Sequence, residues 1–257
     1  MSSESRLSSQ NFQPVSLHHS MSYTFFQFKQ FTIHQDQCAM KVCTDACILG
    51  AWFAEKIPSY STILDVGSGT GLLMLMLAQK SKAKISGIEI DFASYKQQIE
   101  NIEQSKWKER MKIFPGDVRT HSFEDKFDFI VANPPFFEND LLSESDEKNI
   151  AKHSKELTLE EVIKVIDANL DTTGSFGLLL PYHRTAYFET LAGKHHFFLK
   201  EKLSVRQTPK HDFFRSILHF SRYKEQTPDS FELCIHNEAG KFSDEFAELM
   251  RDYYLYL

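Results

Sequence analysis

Cysteine, glycine and proline are all scarce in this 257-residue chain, with 4 Cys, 10 Gly and 8 Pro. So little Gly and Pro excludes collagen-like, Gly/Ser-linker and Pro-rich classes. The thiols at 38, 43, 47 and 234 are too few and too clustered for a disulfide framework, and are expected to be free in a reducing cytoplasm. Cys38, Cys43 and Cys47 lie near His34 but form no CxxC pair, and Cys43 and Cys47 fall on an apolar helical run, so no metal is expected. No stretch approaches the ~18 apolar residues of a membrane span. The first twenty residues, MSSESRLSSQNFQPVSLHHS, lack a cationic start followed by an apolar stretch and so are not a secretory signal. They read as a disordered extension over 1–20, with Met21 as an alternative start. A basic excess is also missing: the net charge of −6 argues against a globally basic nucleic-acid coat and leaves a locally basic face to be sought by segment.

What is present is an ordinary globular balance, 42% hydrophobic and 25% charged, with 23 Phe that point to an aromatic-rich core. Neither a repeat nor a linker divides residues 21–257, which are expected to form one domain. Strands and helices alternate, the pattern of an α/β sandwich around a parallel sheet. Helices are expected over Thr44–Ala54, Leu72–Lys80, Asp91–Trp107, Thr158–Leu170, Arg184–Lys194 and Ser243–Tyr254. Strands are expected over Ser61–Val66, Lys84–Ile90, Met111–Phe114, Phe127–Ala132 and Ser175–Leu180, with β-rich runs at Phe197–Arg206, Phe213–Tyr223 and Ser230–His236. Glu138 to Glu156 reads as a mobile polar loop.

LDVGSGTG places Gly67, Gly69 and Gly71 directly after a strand and before a helix. Glycines there allow positive φ and a close approach of backbone to ligand. The dinucleotide fingerprint is G-x-G-x-x-G, whereas the spacing here is G-x-G-x-G after Asp65, an acid that would repel a pyrophosphate. The turn suits a ligand with a cationic centre, such as the amino group of S-adenosylmethionine, better than NAD. Glu89, eighteen residues past Gly71, ends the next strand, where a carboxylate can accept both ribose hydroxyls. Asp117, ending the third strand, is placed to bind an adenine amino group. An ordinary tight turn would need none of these acids in register.

Asn133-Pro134-Pro135-Phe136 follows the fourth strand, at the carboxyl edge where doubly wound sheets hold their ligands. Two prolines stiffen the turn and remove two donors, leaving carbonyls free. The Asn133 side-chain carbonyl and the Pro134 backbone carbonyl are two acceptors for a planar NH2 group. They would hold both protons and turn the nitrogen lone pair toward a sulfonium methyl, while Phe136 stacks on the flat face bearing the amine. An NAD-dependent oxidoreductase leaves this tetrapeptide unexplained, and a catalytically silent RNA-binding module leaves Asp65, Glu89 and Asn133 unexplained.

With these motifs the chain resembles the class I methyltransferases of the Asn-Pro-Pro-aromatic type. More narrowly it resembles the bacterial tRNA1(Val) adenine N6-methyltransferase family. The resemblance runs from about Phe28 to Leu257 and is carried by FKQFTIHQDQCAMKVCTDACILGAW, LDVGSGTGLLMLMLAQ, ANPPFF, HSKELTLEEV and EFAELMRDYYL. It implies a Rossmann-like seven-stranded sheet with helices on both faces. It also implies S-adenosylmethionine as cofactor, tRNA as partner, a cytoplasmic monomer, and methylation of the adenosine next to the anticodon of a valine tRNA. By similarity Gln37, Lys41, Thr44 and Asp45 approach the cofactor, and Asp65, Gly67, Gly69, Gly71, Glu89, Asp117 and Asn133 bind it. Asn133 to Phe136 is then the catalytic tetrapeptide. Cys43 stands where relatives carry Gly, a departure expected to alter that loop slightly. Guanine-N2 methylation of ribosomal RNA and methylation of a protein glutamine share the tetrapeptide and remain alternatives.

The basic segment is local. Residues 200 to 224 hold seven Lys and Arg against Glu201 and Asp212, with Phe213, Phe214, Phe220 and Tyr223 interleaved. Lys202, Arg206, Lys210 and Arg215 are the candidates for phosphate contacts, and the aromatics for packing on an exposed loop base. The plainer alternative is an antiparallel hairpin with a charged solvent face and its Phe residues in the core.

Overall fold

The structure is a computed structural model that describes residues 24–38, 40–135, 157–224 and 227–257. The extension expected over 1–20, the polar loop Glu138 to Glu156 and Phe136 lie outside the described residues. Along the chain come β1 (Phe25–Gln27), β2 (Thr32–His34), α1 (Thr44–Ala54), β3 (Thr62–Val66), α2 (Leu72–Lys80) and β4 (Lys84–Glu89). Next are α3 (Phe92–Glu103), β5 (Met111–Pro115), β6 (Phe127–Ala132), α4 (Leu159–Asn169) and β7 (Leu170–Pro181). The last are α5 (Thr185–Lys194), β8 (Phe198–Arg206), β9 (Phe213–Ser221), β10 (Asp229–Cys234) and α6 (Asp244–Met250).

Local chemistry sets the helix starts. Asp91 caps α3 by accepting from the Ser94 amide at 2.8 Å. Thr158 and Glu161 form the expected reciprocal capping box at α4. α3 is shorter than its sequence pattern because the Ser105 amide turns back to the Ile102 carbonyl and Trp107 packs edge-on against Phe31, with ring centroids 6.0 Å apart.

One sheet carries the fold, in the order β10-β8-β9-β7-β6-β3-β4-β5. β9 runs antiparallel to both its neighbours, and every other pairing in the sheet is parallel. The expected α/β class with helices on both faces is borne out, but the sheet has eight strands rather than seven. The additional one is β10, which pairs in parallel with β8 at the outer edge and leads Leu233 and Ile235 into the core beside Phe246 of α6. β7 starts at Leu170, paired with Phe127, five residues earlier than the sequence pattern indicates. The β1–β2 hairpin gave no alternation signal. It is held by Phe28, which lies 4.5 Å from Phe31 in a stacked pair.

Central strands are buried on both faces, as parallel sheets require. Ile63, Phe129 and Leu179 join α1, α2 and α6 in one core, while Leu64, Ile130 and Leu178 join α4 and α5 in the other. The aromatic content goes inside: Phe53, Phe176, Phe188, Phe197, Phe220 and Phe246 are all fully buried. Gly177 on β7 exists to admit one of these rings, because a Cβ there would stand 2.2 Å from the Phe53 ring. Gly177→Ala is therefore expected to lower stability by ~1–3 kcal/mol through overpacking. Gly193→Ala, in α5 with nothing within 4 Å of its Cβ position, should raise stability by up to ~1 kcal/mol. Urea unfolding midpoints check both, and equal midpoints for the two variants would contradict the packing argument.

Candidate active site

The strand pairing brings the carboxyl ends of β3, β4 and β6 side by side. Val66 is paired with both Ile88 and Ala132, so Gly67, Glu89 and Asn133 each follow at the same edge. After β3 the chain turns through Gly67, Gly69 and Gly71, with φ of 70°, 53° and 81°. All three lie in the left-handed region, where a side chain would strain the backbone. A Cβ at Gly67 would meet nothing within 4 Å, and one at Gly69 only a carbonyl at 3.9 Å, so the turn faces open space that side chains would fill. The amides of Gly67 and Ser68 donate to the Ile88 carbonyl at 3.0 and 3.1 Å, which ties the turn to β4.

Glu89 is buried and fixed. Its Oε2 accepts from the Gly69 amide and its Oε1 from the Asp91 amide, both at 2.8 Å. Burial pushes its carboxyl up while those two amides pull it down. Asp65 differs: it is 1% exposed, and neither carboxylate oxygen has a hydrogen-bond partner among the described residues. Burial, reinforced by the Glu89 charge, pushes its carboxyl up to about 8. A buried carboxylate without a donor beside a glycine turn is left uncompensated, and a second anion could not compensate it.

Three side chains that the sequence reading placed only on a helix hold this geometry. Gln98 accepts from the Ser68 hydroxyl at 2.9 Å. Asn101 donates to the Thr70 and His34 carbonyls at 2.9 and 2.8 Å, and accepts from the His34 amide at 2.9 Å. Gln97 accepts from the Gln37 amide at 3.3 Å. Gln97, Gln98 and Asn101 are all buried, and their carboxamides on an otherwise amphipathic helix were the signal available in the sequence.

The 35–41 segment is thereby laid along the start of α3. Cys38 is buried with Ser94, Glu89, Lys41 and Asp91 around it, and burial raises its thiol. Lys41 donates to the Gln35 carbonyl, and the Gln35 side chain accepts from the Val42 amide at 2.7 Å. Cys43 is the N-cap of α1 with φ −129°, extended backbone that any residue adopts, so cysteine brings no backbone strain to this position. Thr44 and Asp45 open α1, and Asp45 is engaged by Arg215 at 2.8 Å.

Asp117 lies just past β5, where the Gly116 amide bonds to the Glu89 carbonyl at 2.8 Å. Both its oxygens accept from Arg119, which also reaches Glu161 at 3.0 Å. The Arg119 guanidinium holds the Asp117 carboxyl below its ordinary range. Asn133 is half-buried, Pro134 buried and Pro135 exposed.

Of the basic candidates, Arg215 is turned to Asp45 and Arg206 to Glu232 at 2.7 Å, while Lys210 is exposed in the β8–β9 connection and Lys202 is half-buried on β8. The antiparallel hairpin is present, and Phe220 is core at 1% exposure. The four cysteines are free thiols.

Comparison with known proteins follows the same lines. Residues 47–174 match the family described as "Methyltransferase small domain". A tRNA1(Val) (adenine(37)-N6)-methyltransferase of Dyadobacter fermentans is 41% identical, over 90% of this chain and 97% of that protein. One of Bacteroides thetaiotaomicron is 37% identical, over 92% of this chain and 100% of that protein. Among solved structures, a predicted O-methyltransferase of Agrobacterium tumefaciens shares the fold with a TM-score of 0.63 at 18% identity, over 81% of this chain and 96% of that chain.

Asp65 supplies a test. Between pH 4 and about 8 the unfolded chain releases this proton while the folded chain keeps it, so the contribution of Asp65 to stability falls as pH rises through that window. Asp65→Asn should therefore stabilise the ligand-free protein at pH 8, by about 1 kcal/mol or more, and leave it little changed at pH 4. Thermal unfolding at the two pH values decides this, and a variant less stable than the parent at pH 8 would contradict an unpartnered carboxylate.

Proposed function

Because the chain belongs to the tRNA1(Val) (adenine(37)-N6)-methyltransferase family, we propose that it transfers a methyl group from S-adenosylmethionine to the N6 amine of an adenosine in the anticodon loop of a valine tRNA. The observation that carries this reading is the orphaned Asp65 carboxylate at the glycine turn, on the strand next to the one that Asn133 follows. The enzyme works as one domain over 21–257, as a cytoplasmic monomer and without a metal. Among the described residues no helix is long and apolar enough to cross a membrane.

The residues fit the cofactor: a buried anion for its amino group, an open glycine turn for close backbone approach, and a carboxylate at the next strand end. When bound, S-adenosylmethionine supplies an electrophilic methyl group on a sulfonium. Asp65 faces the cationic amino group. Glu89, with one lone pair of each oxygen used by backbone amides, accepts from the ribose hydroxyls with the others. Asp117, held by Arg119, receives the adenine amine. Gln37, Lys41, Thr44 and Asp45 border the site, and Gly67, Gly69 and Gly71 shape its floor.

On the substrate side, the Asn133 side-chain oxygen and the Pro134 carbonyl accept the two protons of the target amine, and Phe136 stacks on the base. Both acceptors draw density toward nitrogen and aim its lone pair away from the ring plane. The methyl would be supplied with its bonding pair left on sulfur, and the amine held by Asn133 and the Pro134 carbonyl, made acidic by alkylation, would lose one proton to water without a strong base. Alignment is the main contribution, of the order that well-oriented reactants give, ~7–11 kcal/mol of barrier. Lys202 and Lys210 supply salt-dependent attraction for phosphates, while Arg206 and Arg215 are engaged by Glu232 and Asp45.

Asn133→Ala removes an acceptor needed most in the transition state, and turnover should fall ~100-fold or more while cofactor affinity changes little. Asn133→Asp keeps an acceptor and should retain more activity than Ala. The readout is labelled methyl transfer to unmodified tRNA followed by nucleoside analysis. N6-methyladenosine is expected, whereas methylguanosine or full activity in Asn133→Ala would refute the assignment.

A further inference from the structure

The strands that flank Asn133 on one side do not stop level with it. Ala132 at the end of β6 pairs with Leu178, yet β7 continues three residues further, to Pro181. β9 and β8 extend with it, through the pairs Pro181–Arg215 and Arg206–Phe213. At ~3.3 Å per residue this raises a wall about 10 Å above the level where the β3 and β6 strands end.

An aromatic and cationic group occupies the top of that wall. Tyr182 follows β7, is 38% exposed, and its ring lies 5.2 Å from the half-buried Phe213 ring at a tilt of 37°. The Arg206 guanidinium sits over Phe213, 5.0 Å from its centroid, and is held there by Glu232 at 2.7 Å. Lys210 is exposed in the connection between Arg206 and Phe213 and has no ion pair among the described residues. At the opposite end of β9, the 61%-exposed Tyr223 stands at the far edge of the sheet. The basic, aromatic segment is thus divided by the sheet into a half beside the site and a half remote from it.

A Tyr beside a Phe would ordinarily be driven into the core. Here the ring is left part-exposed at the end of β7, four residues past the Leu178 that pairs with Ala132, and Lys210, in the connection that leads into Phe213, has no ion pair among the described residues. Unpaired loop bases are recognised by such faces, because every base has a π surface and stacks on an aromatic or guanidinium plane, while a lysine meets the phosphate.

We propose that Tyr182 and Phe213, braced by Arg206 and assisted by Lys210, form a stacking platform for an unpaired anticodon-loop base that neighbours the base to be methylated. The inference rests on the tRNA reading of the active site and deepens it. The platform binds a second nucleotide and presents the target adenine to Asn133, so its loss weakens RNA binding and leaves the cofactor site intact.

The test measures binding of the unmodified valine tRNA, and of its isolated anticodon stem-loop, to the full chain over a series of salt concentrations. Tyr182→Ala should weaken stem-loop affinity about 5- to 100-fold with an unchanged salt slope, as expected for a lost stacking contact. Tyr182→Phe should restore binding, and Lys210→Ala should flatten the salt slope. Tyr223→Ala, at the remote edge, should bind and methylate as the parent does, and all four variants should bind S-adenosylmethionine normally, which also reports that they fold. Parent-like stem-loop affinity in Tyr182→Ala, or an equal loss in Tyr223→Ala, overturns the platform even if the parent methylates tRNA. A parent that methylates no tRNA overturns the reading beneath it.

Discussion

Asp65 is a carboxylate that folding takes out of water and leaves without a donor, next to a second carboxylate, Glu89, whose donors are supplied by the backbone. An arrangement of this kind is unfavourable in isolation, since a buried unpaired charge costs several kcal/mol or is neutralised by a proton. It persists because the surrounding structure over-determines it. β3 is an interior strand of the sheet, between β6 and β4, and is apolar on both sides of Asp65, with Leu64 and Val66 in one core and Ile63 in the other. The three glycines then turn the chain in left-handed backbone directly after the acid, and neither of its oxygens finds a partner among the described residues. On the proposed reading, the cationic amino group of S-adenosylmethionine completes this site.

The remaining parts of the site are held by devices that do not touch that charge. The buried carboxamides of α3 fasten the glycine turn on one side and the 34–37 segment on the other. Arg119 ties Asp117 to Glu161, and Glu161 is itself half of the capping box that starts α4. Arg215 ties the top of β9 to the start of α1. The glycine turn, the 34–37 segment, Asp117 and the start of α1 are thereby held through separate polar contacts, those of Arg119 and Arg215 to carboxylates being charge-assisted.

Much of this was legible in the sequence, because the signals were local. The glycine spacing, the acid at the end of β4 and the Asn-Pro-Pro run each report a backbone requirement at their own position, and α1, α2 and β6 have the boundaries that their apolar patterns imply. What escaped depends on contacts distant in sequence. The early start of β7 at Leu170 exists because Phe127 pairs with it, and the β1–β2 hairpin because Phe28 and Phe31 find the core. Gln98 and Asn101 look like ordinary helix residues until the turn 30 residues away is placed against them. Tyr182 belongs to no basic run, and only the pairing of β7 with β9 sets it beside Phe213.

The most direct measurement of the charge argument is the number of protons exchanged when the cofactor binds. Calorimetric titration at pH 7, repeated in buffers of different ionisation enthalpy, reads that number. With its carboxyl pushed up to about 8, Asp65 is largely protonated before binding, and a cationic amino group beside it must drive the proton off. S-adenosylmethionine should therefore bind with net proton release, and methylthioadenosine, which lacks the amino acid moiety, should bind without it. Equal proton exchange for the two ligands, or none for S-adenosylmethionine, would contradict a site organised around Asp65.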